Sequence, residues 1–294
     1  MTAAPERRRI IQLAEDVGLD HVAVGDHVSF HVGMGFDGLM AATSVLASSE
    51  RLRSNTAVYL LPLRHPVLVA RQLADISILA PSRFRFGVGI GGEDPHELEI
   101  CGIDPKTRGR RMDECIRLVG ELLTGNPVDH SGEFFKVTQA RIEPAPKDPV
   151  PFIVGGRSNA AIERAGRFGD GWLGIWVSPT RYKSSVDLML QTAEEASRSE
   201  HLFTNALNVW CGVDTSPELA RHYVSSGMEL FYQMPYERFE KWSPAGKPEQ
   251  IVEFLLHYVA AGCSVFNLIV EGENAETEIE AAAAIREGLI DATT

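Results

Sequence analysis

The sequence predicts an α/β fold built on a parallel sheet, and three observations predict it. Short apolar runs of strand length alternate along the 294 residues with segments whose apolar positions keep helical spacing. One of those runs, Phe152-Ile153-Val154, is apolar at every position, as a strand covered on both faces must be. Counted along the chain, the runs give seven core strands, and an eighth placed before the first helix would complete a (β/α)8 barrel. A doubly wound open sheet is the alternative arrangement of the same alternation.

Each element has its own grounds. Ile10, Leu13, Ala14 and Val17 share a helical face that Gly18 ends. Strand HVAV (21–24) leads into Gly25-Asp26-His27, and residues 28–38, rich in Gly and His, read as a long loop before a helix through Leu39, Thr43 and Leu46. Strand TAVYLL (56–61) precedes a helix over 66–79 with Pro66 in its first turn. Phe84, Phe86, Val88 and Ile90 alternate with Arg85, Gly87 and Gly89 in a third strand that ends at Gly91-Gly92-Glu93-Asp94. Residues 107–123 place Met112, Ile116, Val119 and Leu123 on one helix side. Turn residues around short strand-like pieces in GNPVDHSGEFFKV mark a hairpin insertion at about 125–150. Proline-rich EPAPKDPVP then runs extended into strand 152–154. After the helix that opens at Arg157-Ser158 come strand GWLGIWV, a helix over about 180–199 and strand ALNVWCGV. A mostly helical stretch, 217–256, breaks near Met234-Pro235, and strand SVFNLIV (264–270) and helix 276–287 follow. With no linker, low-complexity tract or internal repeat, residues 1–294 read as a single domain.

Hydrophobic residues at 44% and charged residues at 23% are the balance of a soluble globular protein. A net charge of -12 argues against a nucleic-acid or anionic-membrane partner, and it requires local groups to hold any anionic cofactor. No apolar run reaches membrane-span length and MTAAPERRRI has no signal-peptide core, so a cytoplasmic enzyme is the expected class. Cys101, Cys115, Cys211 and Cys263 lack CxxC spacing and read as small buried hydrophobes in a reducing compartment. The histidines lack HxxxH spacing, so no metal site is expected.

The chemistry gathers around PFIVGGRSNAAIERAGRFGDGW. Its strand ends in Gly155-Gly156, and Arg157 and Ser158 open a helix carried by Ala161, Ile162, Ala165 and Phe168 and capped by Ser158 or Asn159. Two glycines admit a ligand close to the backbone, the helix start offers N–H groups and a positive dipole, and Arg157 adds a fork for phosphate oxygens. An ordinary strand-to-helix turn, with Arg157 in solvent, has the same residues. FGVGIGG sets Gly87, Gly89 and Gly92 at GxGxxG spacing, but Glu93, Asp94 and Pro95 follow where a dinucleotide fingerprint needs a helix. These glycines read equally as a thin wall for a flat ring and as room for tight packing. Asp26-His27 lies at the carboxyl end of a strand, where barrel active sites are built and where a histidine can donate a proton near neutral pH. Glu93, Asp94, His96 and Glu97 cluster after the next strand, as a source of a general acid or as a solvated loop face. Trp172, Trp176 and Trp210 read as core.

Taken in order, GDH after the first strand, TAV in the next, GVGIGGEDPHELEICGI, the EFF hairpin and PFIVGGR…GDGW resemble the bacterial luciferase-like monooxygenase family. AGKPEQIVEFLLHYVAAG extends the resemblance toward the C-terminus. It implies a (β/α)8 TIM barrel of the luciferase-like type with an insertion, binding FMN or the deazaflavin coenzyme F-420 at its C-terminal mouth, and a homodimer. It carries Asp26 and His27 over as the strand-end pair beside the reactive ring. Thr56, Ala57 and Val58 become the strand bulge behind the ring, which in relatives often holds a non-prolyl cis peptide. Gly155, Gly156, Arg157 and Ser158 match the phosphate end, and Gly89 and Gly91 line the ring. Glu93 stands about one position beyond the proton-donor glutamate of deazaflavin-dependent sugar-phosphate dehydrogenases, a place Gly92 takes. The family's first strand is missing here, since helix residues start almost at Met1.

The resemblance therefore implies an oxidoreductase acting on a small organic substrate, with F-420 preferred over FMN and with His27, Asp26 and Glu93 as candidate catalytic residues. F-420 would mean hydride transfer and reduced FMN monooxygenation. Two rivals stand beside it: a non-catalytic flavin-binding homologue, and an open-sheet NAD(P)-dependent dehydrogenase using Gly87–Gly92.

Overall fold

The computed structural model describes residues 4–31, 33–92 and 94–294. In chain order its elements begin with α1 (Ala4–Asp16), β1 (His21–Val24), β2 (His27–Phe30), β3 (Met34–Phe36), α2 (Gly38–Ser48), β4 (Arg53–Thr56) and β5 (Tyr59–Leu60). Next are α3 (Pro66–Leu79), β6 (Phe84–Gly89), α4 (Pro95–Ile100), α5 (Arg108–Leu122), β7 (Val128–Ser131), β8 (Lys136–Ala140) and β9 (Phe152–Gly155). The remainder is α6 (Asn159–Phe168), β10 (Gly171–Ile175), α7 (Pro179–Glu195), β11 (Thr204–Val213), α8 (Pro217–Tyr232), β12 (Ala245–Gly246), α9 (Pro248–Val259), β13 (Val265–Glu271) and α10 (Ala275–Thr293). Among the described residues no helix is long and apolar enough to cross a membrane.

Two compact units divide the chain. The first holds His21–Trp172 and Met189–Phe203. Its sheet is a parallel ladder in which β1 pairs with β4, β4 with β6 and β6 with β9. Helices with one buried stripe cover it: Val69, Ala70, Leu73 and Ala74 on α3, and Met112, Cys115, Ile116, Val119 and Leu122 on α5. The run expected as one strand over 56–61 is two. Asn55 pairs with Arg85 and Tyr59 with Val88, so the first strand carries one residue more than β6 between those pairs. That surplus is a β-bulge at Ala57-Val58, whose peptide bond is cis, as the resemblance implies.

Residues 28–38, expected as a loop, instead form the antiparallel hairpin β2–β3, with His27 opposite Phe36 and Phe30 opposite Met34. The Gly- and His-rich composition hid it, because its backbone is anchored by side chains from another part of the chain (below) rather than by strand propensity of its own. The predicted insertion is the β7–β8 hairpin. Glu114 of α5 anchors it, accepting from His130 Nε2 at 2.9 Å and from the Phe134 and Phe135 amides at 3.0 and 2.9 Å. Burial pushes the Glu114 carboxyl up, but the hydrogen bonds from His130 and the two amides outweigh it and hold the group below its ordinary value.

The second unit holds Leu173–Leu188 and Thr204–Thr294 with the residues up to Asp20. Its β11 and β13 run parallel in register from Ala206↔Val265 to Gly212↔Glu271. The Asn267 amide donates to Asn208 Oδ1 at 2.8 Å across that ladder. Ala220, Val224 and Met228 of α8 and Ile251, Leu255 and Tyr258 of α9 are buried, each at i, i+4 or i, i+7 spacing. Trp176 meets the rings of Tyr232 and Phe239 at 4.8 and 4.6 Å and is core, as expected from the sequence.

Candidate active site

The site residues of the first unit gather where its strands end. The backbone of β1 reaches the bulge directly, since the Ala57 amide donates to the Val24 carbonyl at 2.7 Å. Thr56 Oγ1 donates to the Gly87 carbonyl at 2.7 Å and ties the bulge to β6. Val58 then fills the space over two glycines. A Cβ on Gly89 would run into Val58 Cγ2, and one on Gly155 would lie 2.6 Å from Val58 Cγ1. A Cβ on Gly87 would overlap the Thr56 carbonyl oxygen. Close packing thus accounts for the absence of a side chain at Gly87 and Gly89, and Val58 is the side chain that covers Gly89 and Gly155. Gly91, at φ 66°, follows β6 in the left-handed region and faces Leu60, with 3.6 Å to its Cδ2 from an ideal Cβ.

Asp26 is buried, and donors surround it. Arg64 Nη1 and Nη2 grip its two oxygens at 2.7 and 2.8 Å, while the Gly38 and Leu60 amides donate at 2.9 and 2.8 Å. One carboxylate thus joins the end of β1, the start of α2 and the chain just beyond the bulge. Burial pushes this carboxyl up, and the Arg64 charge with the two amides pulls the other way. Arg64 also lies 4.3 Å above the Tyr59 ring and 3.6 Å from Asp37. Neither Arg64 nor this knot was singled out from the sequence; an arginine just ahead of the His65-Pro66 helix start was the only trace of it.

His27 faces a different carboxylate. Its Nδ1 lies 3.0 Å from Glu97 Oε2, and its ring stacks on Phe30 at 4.1 Å. Glu97 sits on α4 with a side chain 4% exposed and accepts the Val28 and Ser29 amides at 2.6 and 3.1 Å through Oε1. Burial pushes Glu97 up, but the hydrogen bond from His27, its charge and the two amides outweigh burial, leaving the group below its ordinary value. One turn earlier, Asp94 accepts the His31 amide at 2.8 Å and caps α4 through the His96 amide at 3.0 Å. These two acids are the anchor of the β2–β3 hairpin. Glu93, the candidate acid taken from the resemblance, lies outside the described residues. The acidic cluster after β6 was visible in the sequence, but which member would turn inward to His27 was not.

At the far end of β9, Gly156 takes φ 135° and its carbonyl accepts Trp172 Nε1 at 2.7 Å. Ser158 is the N-cap of the ten-residue α6, its Oγ accepting the Ala161 amide at 3.2 Å, while Arg157 is exposed beside it. Of the two capping candidates, Ser158 is the cap. A helix start with glycine before it and a guanidinium beside it is a donor set for an anion, so these residues fit the phosphate end of a phosphorylated cofactor.

Parallel strands alternating with helices, with polar groups gathered at the strands' carboxyl ends, define an α/β protein. The chain belongs to the luciferase-like monooxygenase family, whose pattern matches residues 2–248. An uncharacterised protein of Mycobacterium tuberculosis is 37% identical over 153 residues, 52% of this chain and 52% of the relative, so there the chain spans about half the relative's length. The F-420-dependent glucose-6-phosphate dehydrogenase of Amycolatopsis mediterranei is 28% identical over 90% of this chain and 87% of its own. Among solved structures, an F-420-dependent secondary alcohol dehydrogenase superposes with a TM-score of 0.87 at 19% identity, covering 98% of this chain and 96% of its own. A monooxygenase from Streptomyces bottropensis superposes with a TM-score of 0.82 at 18% identity, covering 100% and 95%. The fold class is thus the α/β barrel of the luciferase-like type.

Proposed function

We propose that this chain is an F-420-dependent oxidoreductase that moves hydride to or from a small organic substrate. The observation that carries the reading is the bulge at Ala57-Val58, bonded to the end of β1 on one side and seated against Gly155 of β9 on the other. It gives a ring a wall of backbone and one valine, with His27 at the start of β2 just after β1 and the α6 start after β9. In this reading Gly155, Gly156, Arg157 and Ser158 hold the cofactor phosphate. Thr56, Ala57 and Val58 back the ring, with Gly89 and Gly91 beside them. When bound, F-420 supplies two-electron hydride chemistry at its ring. His27 exchanges the proton that a carbonyl–alcohol interconversion requires. Asp26 positions rather than reacts, because donors engage both of its oxygens.

Support for F-420 comes from the glucose-6-phosphate dehydrogenases that align over most of this chain and from the alcohol dehydrogenase fold neighbour. The nicotinamide alternative loses its footing, since the close approach that Gly87 and Gly89 permit is used by Thr56 and Val58. Titrating the purified protein with F-420, FMN and NADPH by fluorescence tests the proposal. Saturable binding tightest for F-420 is expected. Tighter binding of FMN would move the protein to the monooxygenase branch, and no binding by any of the three would make it a non-catalytic homologue.

A further inference from the structure

We propose that Glu97 is a positioning residue that decides which nitrogen of His27 exchanges protons, keeping a proton on Nδ1 and leaving Nε2 to act. The argument starts from what each atom can do. An ionised carboxylate only accepts hydrogen bonds, so a ring nitrogen held against it must carry hydrogen. Glu97 Oε1 is engaged by the Val28 and Ser29 amides at 2.6 and 3.1 Å, and His27 Nδ1 lies 3.0 Å from Oε2 and 3.3 Å from Oε1, so whichever oxygen it meets is an acceptor. With the carboxylate side chain 4% exposed, water is a poor competitor for that contact. The stack on Phe30, with 28° between the ring planes, restrains the imidazole from turning its other nitrogen inward.

The same geometry fixes what an isosteric change does. In Glu97→Gln the amide oxygen has to go where two backbone N–H groups already point, because an NH2 there would face two donors. Its NH2 then takes the nearer position, 3.0 Å from His27 Nδ1, where an N–H on the ring would face it, which favours Nδ1 as acceptor over the longer 3.3 Å contact to the amide oxygen. The ring proton moves to Nε2, and the nitrogen that exchanged protons is blocked. No volume changes and no backbone donor is orphaned, so the variant keeps the fold while inverting the tautomer.

The part His27 plays in turnover rests on the function proposed above; its tautomer does not. The test is a two-bond proton–nitrogen correlation spectrum of histidine-labelled protein, wild type and Glu97→Gln, with His27→Asn assigning the signals. At a pH where the ring is neutral, the wild type should show hydrogen on Nδ1, and Glu97→Gln should show it on Nε2. Hydrogen on Nε2 in the wild type, or the same pattern in both proteins, would overturn the proposal. Should Glu97→Gln fail to fold, the wild-type spectrum alone decides. Titration of both proteins with F-420 separates the two ideas: affinities within about twofold are expected, since Glu97 belongs to the proton-exchange side of the site. Absence of F-420 binding in the wild type would remove the F-420 reading and leave the tautomer result standing.

Discussion

Asp26→Ala is expected to cost about 3–5 kcal/mol of folding stability, the range for a buried ion pair that loses one member. The deletion leaves the Arg64 guanidinium without its bidentate partner and two backbone amides, of Gly38 and Leu60, without their acceptor. Urea unfolding of wild type, Asp26→Ala and the double variant Asp26→Leu/Arg64→Met checks this. The double variant should recover part of the loss, because it buries no lone charge, but not all of it, because the two amides stay unsatisfied. A loss below about 1 kcal/mol for the single variant would mean that the knot does not hold the strand ends together.

Gly87→Ala is the other large effect, expected near the top of the roughly 1–3 kcal/mol range for overpacking. Its new methyl would overlap the carbonyl oxygen of Thr56, which is backbone and cannot swing aside. The bulge has to shift for the strand to accept it, so cofactor affinity should fall along with the unfolding midpoint. Gly120→Ala is the internal control. Gly120 lies in α5 with nothing within 4 Å of an added Cβ, and the exchange there should stabilise by about 0.5–1 kcal/mol. Equal effects at the two positions would show that close contact with Thr56 is not what Gly87 is for.

Most of the architecture was legible because it is written locally. Alternating apolar runs, Pro66 at the start of α3, Ser158 ahead of α6 and the turn residues of the β7–β8 insertion each act within a few residues of where they stand. What was not legible depends on distant partners. The β2–β3 hairpin read as loop because its anchors, Asp94 and Glu97, come from more than sixty residues along the chain. The division of TAVYLL into two strands needs the register of β6, and no property of those six residues announces the extra one.

The candidate site divides in the same way. Asp26 and His27 were visible as a strand-end pair, yet their side chains enter separate networks, one with Arg64 and the other with Glu97. Adjacent residues on extended backbone point apart, so adjacency in sequence implied a shared task that the geometry does not provide. The glycines of FGVGIGG show the reverse case. Their spacing was plain, but only the positions of the Thr56 carbonyl and of Val58 show what Gly87 and Gly89 make room for.

The phosphate end offers the sharpest trial of where the cofactor lies. Dissociation constants for F-420 and for its phosphate-free deazaflavin riboside, measured on wild type and on Arg157→Ala, isolate the contribution of the α6 start. The wild type should hold F-420 more tightly than the riboside. Arg157→Ala should weaken F-420 by about 1.5–3 kcal/mol, the span for hydrogen bonds to a charged group, while leaving the riboside unchanged. Equal affinity of the wild type for the two ligands, or an equal loss for both in the variant, would contradict a phosphate held at Gly155, Gly156, Arg157 and Ser158.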